Sequence, residues 1–329
     1  MKKLELWRNL GNQLRVDSIR ASSIAGSGHP TSSMSAADLM SVLLTKYLRY
    51  NFEDPEDIRN DHLIFSKGHA SPLLYSMFKA VGAITDEELL DFRKLGSMLQ
   101  GHPTPLIPWV KVATGSLGQG LPIGTGLALA GKKLNRLPYH VWVLCGDSEM
   151  AEGSMWEAIE MAGFSRLNNL IAIVDMNRLG QRGETMHKWN AQSFINRAKA
   201  SGWNAMEIDG HDHIKIDQAY KSAITSKTLP TLIVATTIKA KGVTSIENKN
   251  GFHGKTLDDP DAAIKELGGI KNIIVRPPSP KGNLVVKKLE SRNKVPPTYQ
   301  IGTKVATRKA YGETLAVLGE SRTDLVVLD

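Results

Sequence analysis

The chain has 329 residues, a formal net charge of +8, 41% hydrophobic residues and a single cysteine. That length suits one large domain or two of ordinary size, and no stretch approaches the roughly 20 apolar residues of a membrane span. The start, MKKLELWRNL, has no signal-peptide core, and Cys145 alone builds no disulfide framework. A soluble protein of the reducing cytoplasm, without membrane contact, is therefore expected.

In chain order, helical patterns at 10–24 and 35–48 precede a short apolar run at 62–65. A further helix at 119–133 leads to apolar runs at 141–145 and 170–174, separated by a helix at 153–164 and a turn at 167–169. Runs at 205–208 and 232–235 flank a helix at 214–226. Alternation of this kind predicts an α/β fold, a mostly parallel sheet with helices on both faces. No internal repeat of fixed short period and no low-complexity tract is present.

The positive charge is localised. Residues 267–305 hold eight Lys or Arg against one acid, together with Pro277, Pro278, Pro280, Pro296 and Pro297. Such a segment reads as a solvated interdomain connection. Without interleaved aromatics it gives no platform for nucleic-acid bases, so no nucleic-acid partner is expected. The domain expectation is 1–266 as a first domain, 267–303 as a basic, proline-rich linker and 304–329 as the beginning of a second α/β domain. The run at 325–329 reads as a strand.

Two strands end in oxygen-bearing side chains. VWVLCGDSEMAEGSMWEA, residues 141–158, breaks at Gly146-Asp147, and LIAIVDMNRLG, residues 170–180, ends in Asp175 and Asn177. Alone, an aspartate there is an ordinary turn residue. With one right-handed crossover between them, the two strand ends become neighbours. Carboxylate, amide oxygen and backbone carbonyl suit a hard cation such as magnesium or calcium. Magnesium commonly completes its shell with water and phosphate oxygens, so the pair points to a diphosphate.

The run ATGSLGQGLPIGTG, residues 113–126, nearly makes a dinucleotide fingerprint. A nicotinamide site would want an acid about twenty positions later, yet no Asp or Glu occurs from Phe92 to Gly146. The glycines instead let backbone approach a ligand ahead of a helix. His29, His69, His102, His211 and His253 stand in glycine-flanked loops, whereas His62, His140, His187 and His213 read as structural. None has Cys or His partners at zinc spacing.

The words SGHPTSSMSAADLM, NDHLIFSKGHASPLLY, GHPTP, ATGSLGQGL, GDSEMAEGSMWEA, DMNRLGQ, DGHD, GFHGK and KVATRKAYGETLA together resemble the transketolase family. The resemblance covers nearly all of 20–255 and resumes near Lys304; it implies that the run at 325–329 is the first strand of the second domain and that the chain is an incomplete part of a longer enzyme. It implies a thiamine diphosphate-dependent transferase of the pentose phosphate pathway, moving a two-carbon ketol unit from a ketose phosphate such as xylulose 5-phosphate to an aldose phosphate such as ribose 5-phosphate. It also implies a homodimer with the cofactor at the subunit interface.

Residue by residue, the resemblance assigns the metal (Mg2+ or Ca2+) to Asp147, Asn177 and the Leu179 carbonyl. Cofactor contacts fall to Ser32, His69, Gly115, Leu117, Ser148, Glu149, Asn177, Lys239 and His253. His29, His69, His102 and His253 take catalytic roles, and His29, His102, His253 and Lys255 meet the substrate; His211 receives no role, and Lys241 reads as a surface lysine. The chain departs from the family's Gly-Asp-Gly at Ser148, which adds a Cβ and a hydroxyl beside the diphosphate. The family's activating glutamate belongs to the second domain, so residues 1–329 alone are expected to be inactive. The rival expectation is a non-catalytic thiamine diphosphate-binding fragment, or a subunit of a split enzyme that needs a second chain.

Overall fold

Five apolar runs become five parallel strands in the computed structural model, which describes residues 2–282, 295–322 and 324–327. They are β1 (His62–Phe65), β2 (Val141–Gly146), β3 (Leu170–Met176), β4 (Asn204–Asp209) and β5 (Thr231–Thr236), in the spatial order β1-β2-β3-β5-β4. β2 and β3 are buried along their whole length, the condition under which a strand reads as an unbroken apolar run. Their register pairs Gly146 with Asp175, so the two strand ends lie side by side as expected.

Successive side chains point to opposite faces of the sheet, and the core divides accordingly. Trp142, Leu144, Ile171, Ile173 and Ile233 pack on one side with α1 (Lys3–Ile24), α2 (Pro30–Val42), α3 (Ser71–Ala80) and α8 (His213–Thr225). Val141, Val143, Ala172, Val174 and Val234 pack on the other with α5 (Gly120–Leu129), α6 (Gly153–Phe164) and α7 (Ala191–Ala200). The short α4 (Asp86–Leu90) carries a reciprocal capping box between Thr85 and Glu88. α9 (Pro260–Glu266) lies against α1 in a third, smaller cluster.

Three helices differ from expectation at their ends, and the first of them, α1, begins at Lys3 where the pattern started at 10. α2 begins at Pro30, not near 35, because Ser33 and Ser35 satisfy their hydroxyls on the carbonyls of His29 and Ser32 and the helix is buried all round. α2 and α5 both run on into π-helical turns, Leu43–Tyr47 and Ala130–Asn135, where the sequence pattern suggested continuous α-helix.

The first compact unit spans residues 1–281 and so extends past 266. Gln13 clamps Ile273 by accepting from its N–H (2.6 Å) and donating to its carbonyl (3.2 Å). Val275 N–H donates to Ala80 O (2.8 Å), and Tyr50 N–H to Pro278 O (3.0 Å). The second unit, 282–329, contains α10 (Thr307–Ser321). Of the strand expected at 325–329, residues 325–327 are in no sheet, while 328 and 329 lie outside the described residues. The linker charges Lys287, Lys288, Glu290, Arg292 and Lys294 also lie outside them. Among the described residues, no helix is long and apolar enough to cross a membrane.

Candidate functional site

In a parallel sheet the ligand crevice forms outside the carboxyl ends of the strands. β1 delivers Lys67 and His69 there, β2 delivers Gly146 to Glu149, β3 delivers Asn177 and Leu179, and β5 delivers Lys239. Together with His29 and Ser32 at the start of α2, the loop residues His102, Gly115 and Leu117, and Gln181 and His253, they line one cleft of about 280 Å³.

The two strand-end aspartates differ in their partners. Asp175 is fully buried and accepts from Lys67 Nζ, Ser35 Oγ and Thr237 Oγ1. Burial pushes its carboxyl up, but the Lys67 charge and these hydrogen bonds outweigh that and hold it below the usual range. Asp147 accepts only from the N–H groups of Arg178 (2.6 Å) and Ser148 (2.9 Å) and, at 3.4 Å, from Thr185 Oγ1. Burial first, and the charge of Asp175 second, raise it to about 6. A buried carboxylate in this state calls for a cation.

Two further oxygens of the expected metal set are close at hand in the chain. Asn177 donates through Nδ2 to Asp175 Oδ2 (3.3 Å), and its Oδ1 accepts from Leu179 N–H (3.2 Å). The Leu179 carbonyl accepts from Lys239 Nζ (2.8 Å). Among the described residues, no group of three or more His, Cys, Asp or Glu forms a metal cage. The present donors are one carboxylate, one amide and one carbonyl, all hard oxygens.

Three imidazoles touch one another. The ring centroids of His29 and His69, and of His29 and His253, are 5.1 Å apart, and those of His69 and His253 5.3 Å. Burial is the main cause that keeps them neutral. It lowers His29 to about 4, with Arg93 and His102 adding to the effect, and His253 to about 3, with Lys239 next. His69 is pushed well down by burial and then by Lys67, and His102 falls through burial and Arg93. Lys239, whose Nζ also meets His253 Nδ1 at 2.8 Å, is lowered to about 8 by burial and by Lys67. His29 Nδ1 and Ser32 Oγ are buried without a hydrogen-bond partner, as groups waiting for a ligand would be.

The glycine loop is held by Glu149, which accepts from Gly118 N–H and Gly146 N–H (3.0 Å each) and from Ser66 Oγ. Glu149 thus forms part of the cleft wall while its oxygens accept from two backbone amides and the Ser66 hydroxyl. Gly115 has φ +131°, and a Cβ there would lie 2.6 Å from His102 Cδ2, so glycine lets this backbone pack on the imidazole.

Every expected site residue except Lys255 lines this cleft; Lys255 is exposed, two positions beyond His253. Lys241 is ion-paired with Glu247 (2.8 Å). Sequence reasoning missed Lys67, Gly146 and Gln181 as lining residues. Lys67 stood in the same glycine-flanked word as His69, two residues after the apolar run 62–65, and that place at a strand end was the signal available.

Comparison with known proteins gives a consistent result. The family model described as transketolase, thiamine diphosphate binding domain, matches residues 7–273. Transketolase of Pongo abelii is 40% identical over 337 residues, covering 100% of this chain and 53% of the relative, and transketolase-like protein 2 of Bos taurus is 42% identical over 332 residues, covering 99% and 53%. The crystal structure of transketolase from Campylobacter jejuni aligns with a TM-score of 0.76 at 34% identity, covering 83% of this chain and 44% of that one. The chain spans about half the length of the curated relatives it matches, 53% in both cases.

Proposed function

Because the chain belongs to the transketolase family and carries its thiamine diphosphate-binding domain, we propose that the cleft holds the diphosphate of that cofactor through a divalent cation, magnesium or calcium. The whole protein is proposed to transfer a two-carbon ketol unit from a ketose phosphate of the xylulose 5-phosphate type to an aldose phosphate of the ribose 5-phosphate type. It would do so in the cytoplasm, as a homodimer of the pentose phosphate pathway. The observation that carries the reading is the uncompensated Asp147 carboxylate beside Asn177 and the Leu179 carbonyl, in a cleft that also holds Lys67 and Lys239.

When bound, the cofactor supplies the nucleophilic carbon and the electron sink for carbon–carbon cleavage. The chain's own part is to hold and orient. Asp147, Asn177 and Leu179 O take the cation; Lys239, Ser32 and Ser148 face the anionic group; Glu149 keeps the loop carrying Gly115 and Leu117 in place. The neutral imidazoles of His29, His69, His102 and His253 are able to donate to a sugar hydroxyl or accept its proton at a ring nitrogen near neutral pH. Lys255, exposed beyond His253, suits the edge of a channel for a sugar phosphate. A transketolase from Pichia stipitis, 31% identical, was solved in complex with sedoheptulose-7-phosphate, which supports this substrate class.

Calorimetry tests the binding step: thiamine diphosphate is expected to bind with magnesium and not with chelator, and equal binding in both would overturn the metal assignment. A second reading is a non-catalytic thiamine diphosphate-binding chain, or one subunit of a split enzyme that needs a second chain. A polypeptide of residues 1–329, saturated with cofactor and magnesium, is expected to transfer no ketol unit until a chain carrying the pyrimidine-binding domain is supplied. Activity without it would mean that the activating group lies within these residues.

A further inference from the structure

DGHD, the motif without a role in the site, holds His211 between two fixed partners. On one side its Nδ1 is 2.8 Å from Asp38 Oδ2 in α2. Asp38 is buried and also accepts two bonds from Arg15, whose charge, together with the hydrogen bonds from His211 and Arg15 and the His213 ring with Nε2 3.3 Å away, outweighs burial and keeps the carboxyl well below its usual range. An ionised carboxylate only accepts, so Nδ1 carries the proton. On the other side, Ile238 N–H donates to Nε2 at 2.9 Å, so Nε2 carries the lone pair. The imidazole is locked in one neutral tautomer by two independent neighbours.

What it holds is the backbone immediately before Lys239. That segment leaves the end of β5 pinned at Thr237, which donates to Met176 O, and at Ala240, which donates to Thr31 O. From Lys239, Nζ reaches the Leu179 carbonyl and His253 Nδ1, each at 2.8 Å. We propose that His211 is a positioning residue of the diphosphate site: its Nε2 accepts the Ile238 amide and so holds the backbone that aims Lys239, while Asp38 selects the tautomer that leaves Nε2 bare. This rests on the reading of the cleft as a thiamine diphosphate site. Outer partners of this kind commonly contribute about 10- to 100-fold to affinity.

Two substitutions separate the two ends of the imidazole. His211→Asn keeps a donor near Nδ1 and loses the acceptor for Ile238; His211→Gln keeps an acceptor near Nε2 and loses the bond to Asp38. By calorimetry with thiamine diphosphate and magnesium, His211→Asn is expected to bind about tenfold or more weakly and His211→Gln close to the unaltered chain, with similar melting temperatures. Equal losses in both, or none in either, would overturn the proposal. Long-range ¹H–¹⁵N spectra of the unaltered, ligand-free chain judge the lock even if His211→Asn fails to fold. They are expected to show Nδ1 protonated and Nε2 bare, and a protonated Nε2 would overturn it. Should the unaltered chain not bind the cofactor, the functional reading falls, while the spectra still decide the tautomer.

Discussion

Asp147 and Asp175 end adjacent parallel strands, yet only Asp175 has an ion-pair partner among the described residues, Lys67. The difference separates them: Asp175 is compensated within the scaffold by Lys67, and Asp147 has no ion-pair partner among the described residues. Asp147→Ala is expected to reduce magnesium-dependent cofactor affinity by at least the roughly 10- to 100-fold that loss of an outer partner costs. Asp147→Asn, which removes the uncompensated charge, is expected to keep or raise thermal stability without ligand. Calorimetry and melting curves on the two variants check both expectations; a large loss of stability in Asp147→Asn would mean that the carboxylate is structural.

Lys67 presents the converse case. Its ammonium donates to Asp175 and to Ser32 O (3.0 Å), with only 2% of its surface exposed. Lys67→Met would leave the Asp175 carboxylate buried and uncompensated, a change that typically costs about 3–5 kcal/mol. Urea unfolding measures it, and a loss below about 1 kcal/mol would show that Ser35 and Thr237 suffice to hold the charge.

Stability is also expected to depend on pH through the imidazoles. His29 and His253 are held down to about 4 and about 3, against an unfolded value near 6.5. Between those values the unfolded chain takes protons that the folded chain refuses. Their contribution is therefore full above about pH 6.5 and is lost as pH falls toward the folded values. Asp147, raised to about 6, acts in the opposite sense, gaining its proton first in the folded chain. Denaturant midpoints measured between about pH 7 and about pH 4.5 should show a shallower fall in His253→Gln than in the unaltered chain. An identical slope would mean that His253 titrates normally.

Gly115→Ala is expected to destabilise by about 1–3 kcal/mol and to displace the His102 ring, since left-handed backbone strain and a contact act together. Gly126, exposed in α5 with open space where a Cβ would stand, is the control: alanine there is expected to be neutral or stabilising. Melting temperatures of the two variants, with the His102 side-chain resonance as reporter, distinguish a local from a general effect.

β2, β3 and β5 were legible because buried parallel strands leave unbroken apolar runs, whereas β4, at the sheet edge, is largely open to solvent. α3 was not legible, because SPLLYSMFKA follows directly on the chemically marked word SKGHA and is buried throughout, without an alternating face to betray a helix. α7 has a clear apolar side in Phe194, Ile195 and Ala198 but lies in a stretch without chemical markers. Most of the cleft's lining was legible from strand-end oxygens and glycine-flanked histidines. The direction in which a side chain turns was not: Glu149 reads as an acid beside a cofactor, and only the fold shows its oxygens meeting Gly118 and Gly146. Residues 271–278 look like linker by composition, yet Gln13 and Ala80 hold their backbone.

The strand order makes synthesis and assembly run in different sequences. β4 pairs only with β5, and β5 also pairs with β3, so β4 leaves the ribosome with no neighbour in the sheet until a strand made later slips in beside it. Gln13, in the first helix, waits longer still for the Ile273 backbone, 260 residues downstream. Domains generally fold as units during translation. For this unit the nascent chain therefore has to leave β4 unpaired over the short stretch from Asp209 to Thr231, and to keep an unsatisfied helix face shielded while most of its length is still being made.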